Sequence, residues 1–283
     1  MKKVSPLPIE DRRNMSAMSR NKALSSYPDL KVFRGVVALA YKHYMAAPGL
    51  APPWHPVFPS SLREAMKAHY RSECAPLEFI SEIRDALSPG VCPVCGSACS
   101  ATVDHFLPKS SWPAFAFFSP NLIPACDQCN RKKGEIYSGT SPDERTIHPY
   151  FDSFLNQRLA IIQFIPPYSI PVLRLIPHPS LTDATLTTVE WHLENVVRKT
   201  SICATLGERW TNMARDPKIV LEGLKYGATM HDALKGKLES LDSTYGTPNN
   251  WESMLVAGIL DDPQAIQYLE AVVATGLVQE NPV

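Results

Sequence analysis

Along the chain, apolar residues recur at helical spacing towards both ends and at strand spacing in a few short stretches between them. Residues 1–30 are polar and basic and are expected to be loosely ordered, while residues 30–45 read as a helix. Residues 48–59 hold five prolines and form a loop. Ser60 or Ser61 can cap a helix running to about Cys74. Pro76 suits the first turn of the next helix, whose Ile80, Ile83 and Leu87 share one face before Ser88-Pro89-Gly90 stops it. Ala101-Thr-Val-Asp104-His105 alternates like a short strand. Residues 159–165 and 170–176 are apolar and β-branched and read as a strand pair, with Pro171 at an edge position. From Thr182 or Asp183 the pattern is helical almost to the end, with starts at Asp216-Pro217, Asn250-Trp251 and Asp262-Pro263. The expected fold is mainly α, with a small metal-stapled module and a short strand pair. Three regions follow: 1–90, a basic arm and helices; 91–152, the module; and 153–283, the strand pair and a helical C-terminal region.

Composition changes this picture little, since 45% hydrophobic and 20% charged residues are ordinary for a folded chain. Met1-Lys2-Lys3 is followed by Pro6, Pro8, Glu10 and Asp11 rather than the apolar core of a secretion signal, and no apolar run is long enough to cross a bilayer. A cytoplasmic protein with no membrane association is expected. Net charge is zero, but its distribution is uneven: residues 1–34 carry eight Lys/Arg against three Asp/Glu, and residues 201–283 carry six against eleven. Both stretches can be plain solvated surface; alternatively the arm touches phosphate and the acidic region docks a partner.

Cysteine spacing says more. Cys92-Pro-Val-Cys95-Gly is a tight knuckle, and Cys126-Asp-Gln-Cys129 repeats it 31 residues after Cys95. Two such pairs supply four soft thiolates to a tetrahedral Zn²⁺, with Gly96 free to adopt a left-handed backbone behind the first. A closed four-cysteine site has no open position for substrate, so this zinc is structural. Cys99 is a spare thiol, and Cys74 and Cys203 read as ordinary buried residues. Between the pairs lie Asp104-His105 and Asn121, and the second pair runs directly into Asn130-Arg131-Lys132-Lys133-Gly134 at the opening of a helix.

From Cys92 to Gly134 the chain resembles the HNH nuclease motif, the ββα-metal finger. A cysteine knuckle, Asp-His on the first strand, an asparagine before the second knuckle, and a polar ligand with a nearby lysine on the helix all fall in order. The chain departs from the common pattern in having Asn130 where the family often has histidine. The resemblance implies that Asp104 and Asn130 bind one Mg²⁺ or Mn²⁺, that a near-neutral His105 is the general base, and that Asn121 orients His105 or braces its loop. It further implies that Lys133 and Arg131 contact backbone phosphate, although Lys132 and Lys133 can equally be a solvated helix face. His148 lies close downstream, with a structural role beside Tyr150 and Phe151 favoured over a catalytic one. Trp112, Phe115, Phe117 and Phe118 suit core packing first and base stacking second. The remaining histidines, at 43, 55, 69, 178, 192 and 231, show no ligand spacing.

The resulting expectation is a metal-dependent endonuclease acting on DNA, with RNA not excluded. The layout also resembles HNH subunits that work beside an ATPase partner in bacterial anti-phage defence. The alternative is a catalytically inactive zinc-dependent subunit that binds nucleic acid or assembles a complex.

Overall fold

The computed structural model describes residues 1–72, 74–85, 90–98 and 102–275. Leu87, the Ser88-Pro89 stop, Cys99 and Ala101 lie outside the described residues. Four helices come first: α1 (Asp11–Arg20), α2 (Asp29–Ala46), α3 (Ser60–His69) and α4 (Phe79–Asp85). A small unit follows, made of β1 (Thr102–His105), β2 (Leu122–Ala125) and α5 (Asp127–Lys133). The hairpin β3 (Ala160–Ile165) and β4 (Val172–Pro177) leads into α6 (Asp183–His192), α7 (Ile202–Arg215) and α8 (Pro217–Val220). The last helices are α9 (Met230–Tyr245), α10 (Trp251–Asp261) and α11 (Pro263–Thr275). The fold is mainly helical with two short antiparallel strand pairs, in agreement with the expected class. No described helix is long and apolar enough to cross a membrane.

The helix starts follow their capping chemistry. Asn250 caps α10 by accepting the Ser253 amide, Asp216 accepts the Lys218 amide, and Thr229 accepts the Asp232 amide at the head of α9. Ser60 and Ser61 do not cap α3. Ser61 instead donates its hydroxyl to Asp29 Oδ2 at 3.0 Å, tying α3 to the start of α2, and α3 ends at His69, short of Cys74.

The N-terminal residues are not loosely ordered, as their polarity suggests they should be. Met1, Val4, Met15 and Met18 are buried in the core. Lys2 donates its amide to Pro93 O and its ammonium to Tyr245 O, and Lys3 donates its ammonium to Tyr150 O and Asp152 O. Both lysines thus spend their charge on internal carbonyls, because four methyl-rich side chains among the polar ones are enough to dock the segment.

Ser253 to Ile259 of α10 are buried without a break, the mark of a helix enclosed on every side. It lies on β3 and against α7, α9 and α11. Its approach to β3 is so close that a Cβ on Gly258 would fall 2.0 Å from Ile162 O, which only glycine tolerates. One hydrophobic cluster runs from Met1 through the ββα unit to Leu269, so that unit is part of the common core.

Candidate active site and metal centre

Each cysteine pair sits in a turn fixed by its own backbone. Cys92 N donates to Ser97 O and Gly96 N to Cys92 O, both at 2.8 Å, and Gly96 has the left-handed φ of +88°. In the second pair, Cys126 precedes the first turn of α5 and its sulfur accepts the Cys129 amide. The four Sγ atoms come within 4.8 Å of one another, and all four cysteines are buried. Cys95 and Cys126 sulfurs lie 3.8 Å apart, close to the edge of about 3.8 Å in a tetrahedron with ~2.3 Å zinc–sulfur bonds. This donor set is able to hold zinc, and it fits an HNH-type zinc module. The amides of Cys126, on Cys92 Sγ at 3.2 Å, and Ser97, on Cys95 Sγ at 3.4 Å, would disperse the negative charge of a tetrathiolate.

Residues from remote stretches close over the first knuckle. His192, one of the histidines without ligand spacing, donates Nε2–H to Val94 O at 2.8 Å and accepts the Ile147 amide at Nδ1. Burial holds its pKa down to about 4, so the ring stays neutral in the one tautomer that satisfies both bonds. Trp251 donates its indole N–H to Cys95 O and its amide to Gly96 O.

The cluster sets α5 against β1. Asn130 donates its carboxamide N–H to Thr102 Oγ1 at 3.2 Å and reaches Val103 O at 3.4 Å. One helical turn on, the Lys133 ammonium donates to His105 O at 2.7 Å and meets Asp104 Oδ2 at 3.0 Å. Residues three apart share a helix face, so Asn130 and Lys133 run along β1 in step. Burial pushes the Asp104 carboxyl up against the opposing pull of the Lys133 charge. Lys133 is only 3% exposed, so its ammonium neutralises Asp104 and is not presented to a phosphate outside. Arg131 does face solvent, paired with Asp127 at 2.7 Å. Lys132 is exposed.

In the register of β1 and β2, His105 stands opposite Leu122, just beyond Asn121. Asn121 is fully buried: Oδ1 accepts the Leu107 amide at 2.8 Å, and Nδ2 donates to Leu107 O at 3.0 Å and Phe115 O at 3.1 Å. It therefore braces the loop and makes no hydrogen bond to His105 itself. Its effect on His105 passes through the next residue of that loop, because His105 Nε2 donates to Ala116 O at 2.9 Å. Trp112, Phe115, Phe117 and Phe118 are all buried, which favours packing over base stacking.

Burial lowers the His105 pKa to about 4, opposed by the Ala116 bond and helped by the lesser effects of the Lys109 and Lys133 charges. The ring is thus neutral at cellular pH but a weaker base than the near-neutral imidazole expected from sequence. Tyr70, from the end of α3, stands edge-on to His105 with centroids 4.5 Å apart and donates its hydroxyl to Val103 O at 2.7 Å. Lys109 lies 4.6 Å over the Tyr70 ring. Sequence spacing singles out neither residue; Lys109 follows His105 closely enough to be considered, whereas Tyr70 offers no signal.

His148 is fully buried, with Nε2 against the Tyr44 hydroxyl at 3.2 Å and Nδ1 accepting the Tyr150 amide. Burial keeps its pKa well below the usual histidine range. It reaches Asn121 through Tyr44, whose hydroxyl lies 3.4 Å from Asn121 Oδ1, and through a bond to the backbone of the adjacent Pro120, and so it closes the unit from behind.

Lys133→Met is expected to destabilise the chain by about 3–5 kcal/mol, because a buried carboxylate loses its counter-charge. Urea unfolding measures this, and an unchanged midpoint would show that Lys133 does not pair with Asp104 in solution.

Comparisons with known proteins are sparse. No family model matches the chain, and no solved structure matches it. Protein ea31 of Escherichia phage lambda is 33% identical over 78 residues, a match covering 26% of this chain and 26% of that protein. The chain is therefore similar to about a quarter of that phage protein's length.

Proposed function

We propose that this chain hydrolyses phosphodiester bonds of DNA in the manner of the HNH nucleases, with His105 as general base and a structural Zn²⁺ in the four-cysteine cluster. The observation that carries this reading is the state of His105. Its Nε2–H is committed to Ala116 O, so the lone pair sits on Nδ1, which no group among the described residues bonds. A neutral imidazole held at one nitrogen and open at the other is a base with a fixed direction.

In this reading Asp104 and Asn130 would offer oxygen donors to a hard divalent cation, Mg²⁺ or Mn²⁺. The Asp104 carboxylate accepts from Lys133 and from the His105 backbone amide, and the Asn130 carboxamide oxygen accepts no hydrogen bond from another side chain among the described residues. Two oxygen donors suit a cation that keeps water and phosphate in its other positions. When bound, such a cation supplies Lewis acidity, acidifying the attacking water and offsetting charge on the phosphate and the departing oxygen. His105 Nδ1 takes the proton from that water, and Ala116 O holds the opposite N–H as the ring becomes charged. Asn121 fixes the loop bearing Ala116, and Lys133 fixes one oxygen of Asp104.

A second reading is favoured by one feature. The carboxylate expected to hold the cation already has a buried ammonium beside it, which suits an inactive zinc-dependent subunit that binds nucleic acid or assembles a complex. Incubating the purified chain with supercoiled plasmid, in Mg²⁺, in Mn²⁺ or with neither, separates the two. Nicked and linear plasmid only with a divalent cation is the expected result. Plasmid left supercoiled in every condition would end the nuclease reading and leave the inactive-subunit one.

A further inference from the structure

A cavity of about 460 Å³ opens between the end of α3 and α4, on elements outside the ββα unit. Its polar lining is Tyr70, Arg71, Ser72, Glu78, Ser81 and Arg84. Tyr70 joins it to the candidate site, since the same ring stands 4.5 Å from His105 and 4.6 Å beneath Lys109. Two guanidiniums and one ammonium therefore gather around one tyrosine, and among the described residues that line the cavity Glu78 is the one carboxylate.

Lys67, nearby on α3, has Glu64 at 2.6 Å, but among the described residues no carboxylate forms an ion pair with Arg71, Arg84 or Lys109. Burial first, then repulsion from Arg71 and Lys67, makes the Lys109 ammonium easier to deprotonate than usual, a sign that these cations share one neighbourhood. The Arg84 charge likewise acts on the Tyr70 hydroxyl. Arg84 is hydrogen-bonded to the Tyr70 hydroxyl, but like charges gathered at a polar concavity with no ion-pair partner among the described residues repel one another until an anion arrives.

We propose that this cavity is a phosphate seat for DNA, in which Arg71 and Arg84 hold a backbone phosphate flanking the one addressed from His105, with Lys109 adding its charge from over the Tyr70 ring that separates them. The proposal rests on the nuclease reading for the identity of the anion. It gives the chain its own grip on DNA despite zero net charge, from residues outside the motif that carries the chemistry. Phosphate contacts of this kind supply affinity and register without reading sequence.

The test uses the full zinc-loaded chain and a short fluorescein-labelled DNA duplex without Mg²⁺ or Mn²⁺, so that no cleavage intervenes. Binding is followed by anisotropy as salt is raised. The combined Arg71→Gln, Arg84→Gln, Lys109→Gln variant is expected to lose at least about tenfold in affinity. Its salt slope should fall by roughly 1, near 0.9 for the one phosphate that is no longer neutralised. Glu78→Gln is expected to bind more tightly than the unaltered chain, a sign that mere loss of fold would not produce. Zinc content should hold in both variants; the thermal midpoint should hold or rise in the triple variant, which removes repulsion, and fall only slightly in Glu78→Gln, which removes an exposed counter-charge. Wild-type affinity and slope in the triple variant, or no binding by the unaltered chain, would overturn the proposal. Tighter cavity-dependent binding of the matching RNA duplex would overturn its assignment to DNA. Plasmid cleavage by the unaltered chain together with unchanged binding by the triple variant removes only the phosphate seat; cavity-dependent binding without cleavage removes only the nuclease reading.

Discussion

Removing zinc from the four-cysteine cluster is expected to unfold much of the chain, and Cys126→Ser to prevent it from folding stably. Structural zinc sites bind with about 10–16 kcal/mol in small metal-dependent folds, and an ordinary domain is stable by only about 5–15 kcal/mol. Here four buried thiols crowd within 4.8 Å of one another, and without a cation they cannot all ionise in so small a space. The consequence spreads because several elements meet on the knuckle. Val94 O, Cys95 O and Gly96 O receive donors from His192 and Trp251, and a Cβ on Gly96 would meet Asn249 O at 2.0 Å. Disordering the turn takes the ends of α6 and α10 with it. Metal analysis should give one zinc per chain, and far-ultraviolet circular dichroism should show the loss on chelation. A zinc-free chain with the same unfolding midpoint would refute this role.

His105→Ala is expected to lower plasmid cleavage by about 10²–10⁴-fold, the usual contribution of a general base, while zinc content is retained. Leaving Ala116 O without its donor costs roughly 1–3 kcal/mol, small enough for the fold to survive and be checked by its thermal midpoint. The pH profile gives an independent reading. With its pKa held at about 4 by burial and by the lysines around it, His105 is already unprotonated at pH 6. Cleavage should therefore not fall between pH 8 and pH 6 through protonation of this ring, and should fall as pH approaches 4. Full cleavage by His105→Ala would remove it as the base.

Much of the scaffold is legible in the sequence because its signals are local. Asn250, Asp216 and Asp262 mark helix starts by side-chain chemistry that acts over three residues, and the cysteine spacing fixes the cluster without knowledge of the rest. Lys133 is easily misread because a run of charged residues looks like surface. The corrective signal is present all the same: a residue three positions after Asn130 faces the same way, so if one points at β1 the other does as well. Tyr70, Arg71 and Arg84 carry no such signal, since only the packing of α3 and α4 brings Tyr70 beside His105 and the two arginines around Tyr70. The same holds for Lys2 and Lys3, whose partners Tyr245 and Tyr150 lie far along the chain. A partner ATPase is suggested by layout and charge alone, and no side-chain geometry bears on it.

The roof over the first knuckle has a practical consequence for anyone wishing to transplant this finger. An excised fragment spanning 91–152 would leave behind Met1 to Val4, His192 and Asn249 to Trp251, baring apolar surface and stranding the carbonyls of Val94, Cys95 and Gly96. Such a cassette would need substitutes for all three before its sulfur cage could close, so in this architecture the finger behaves as a keystone that cannot be lifted out alone.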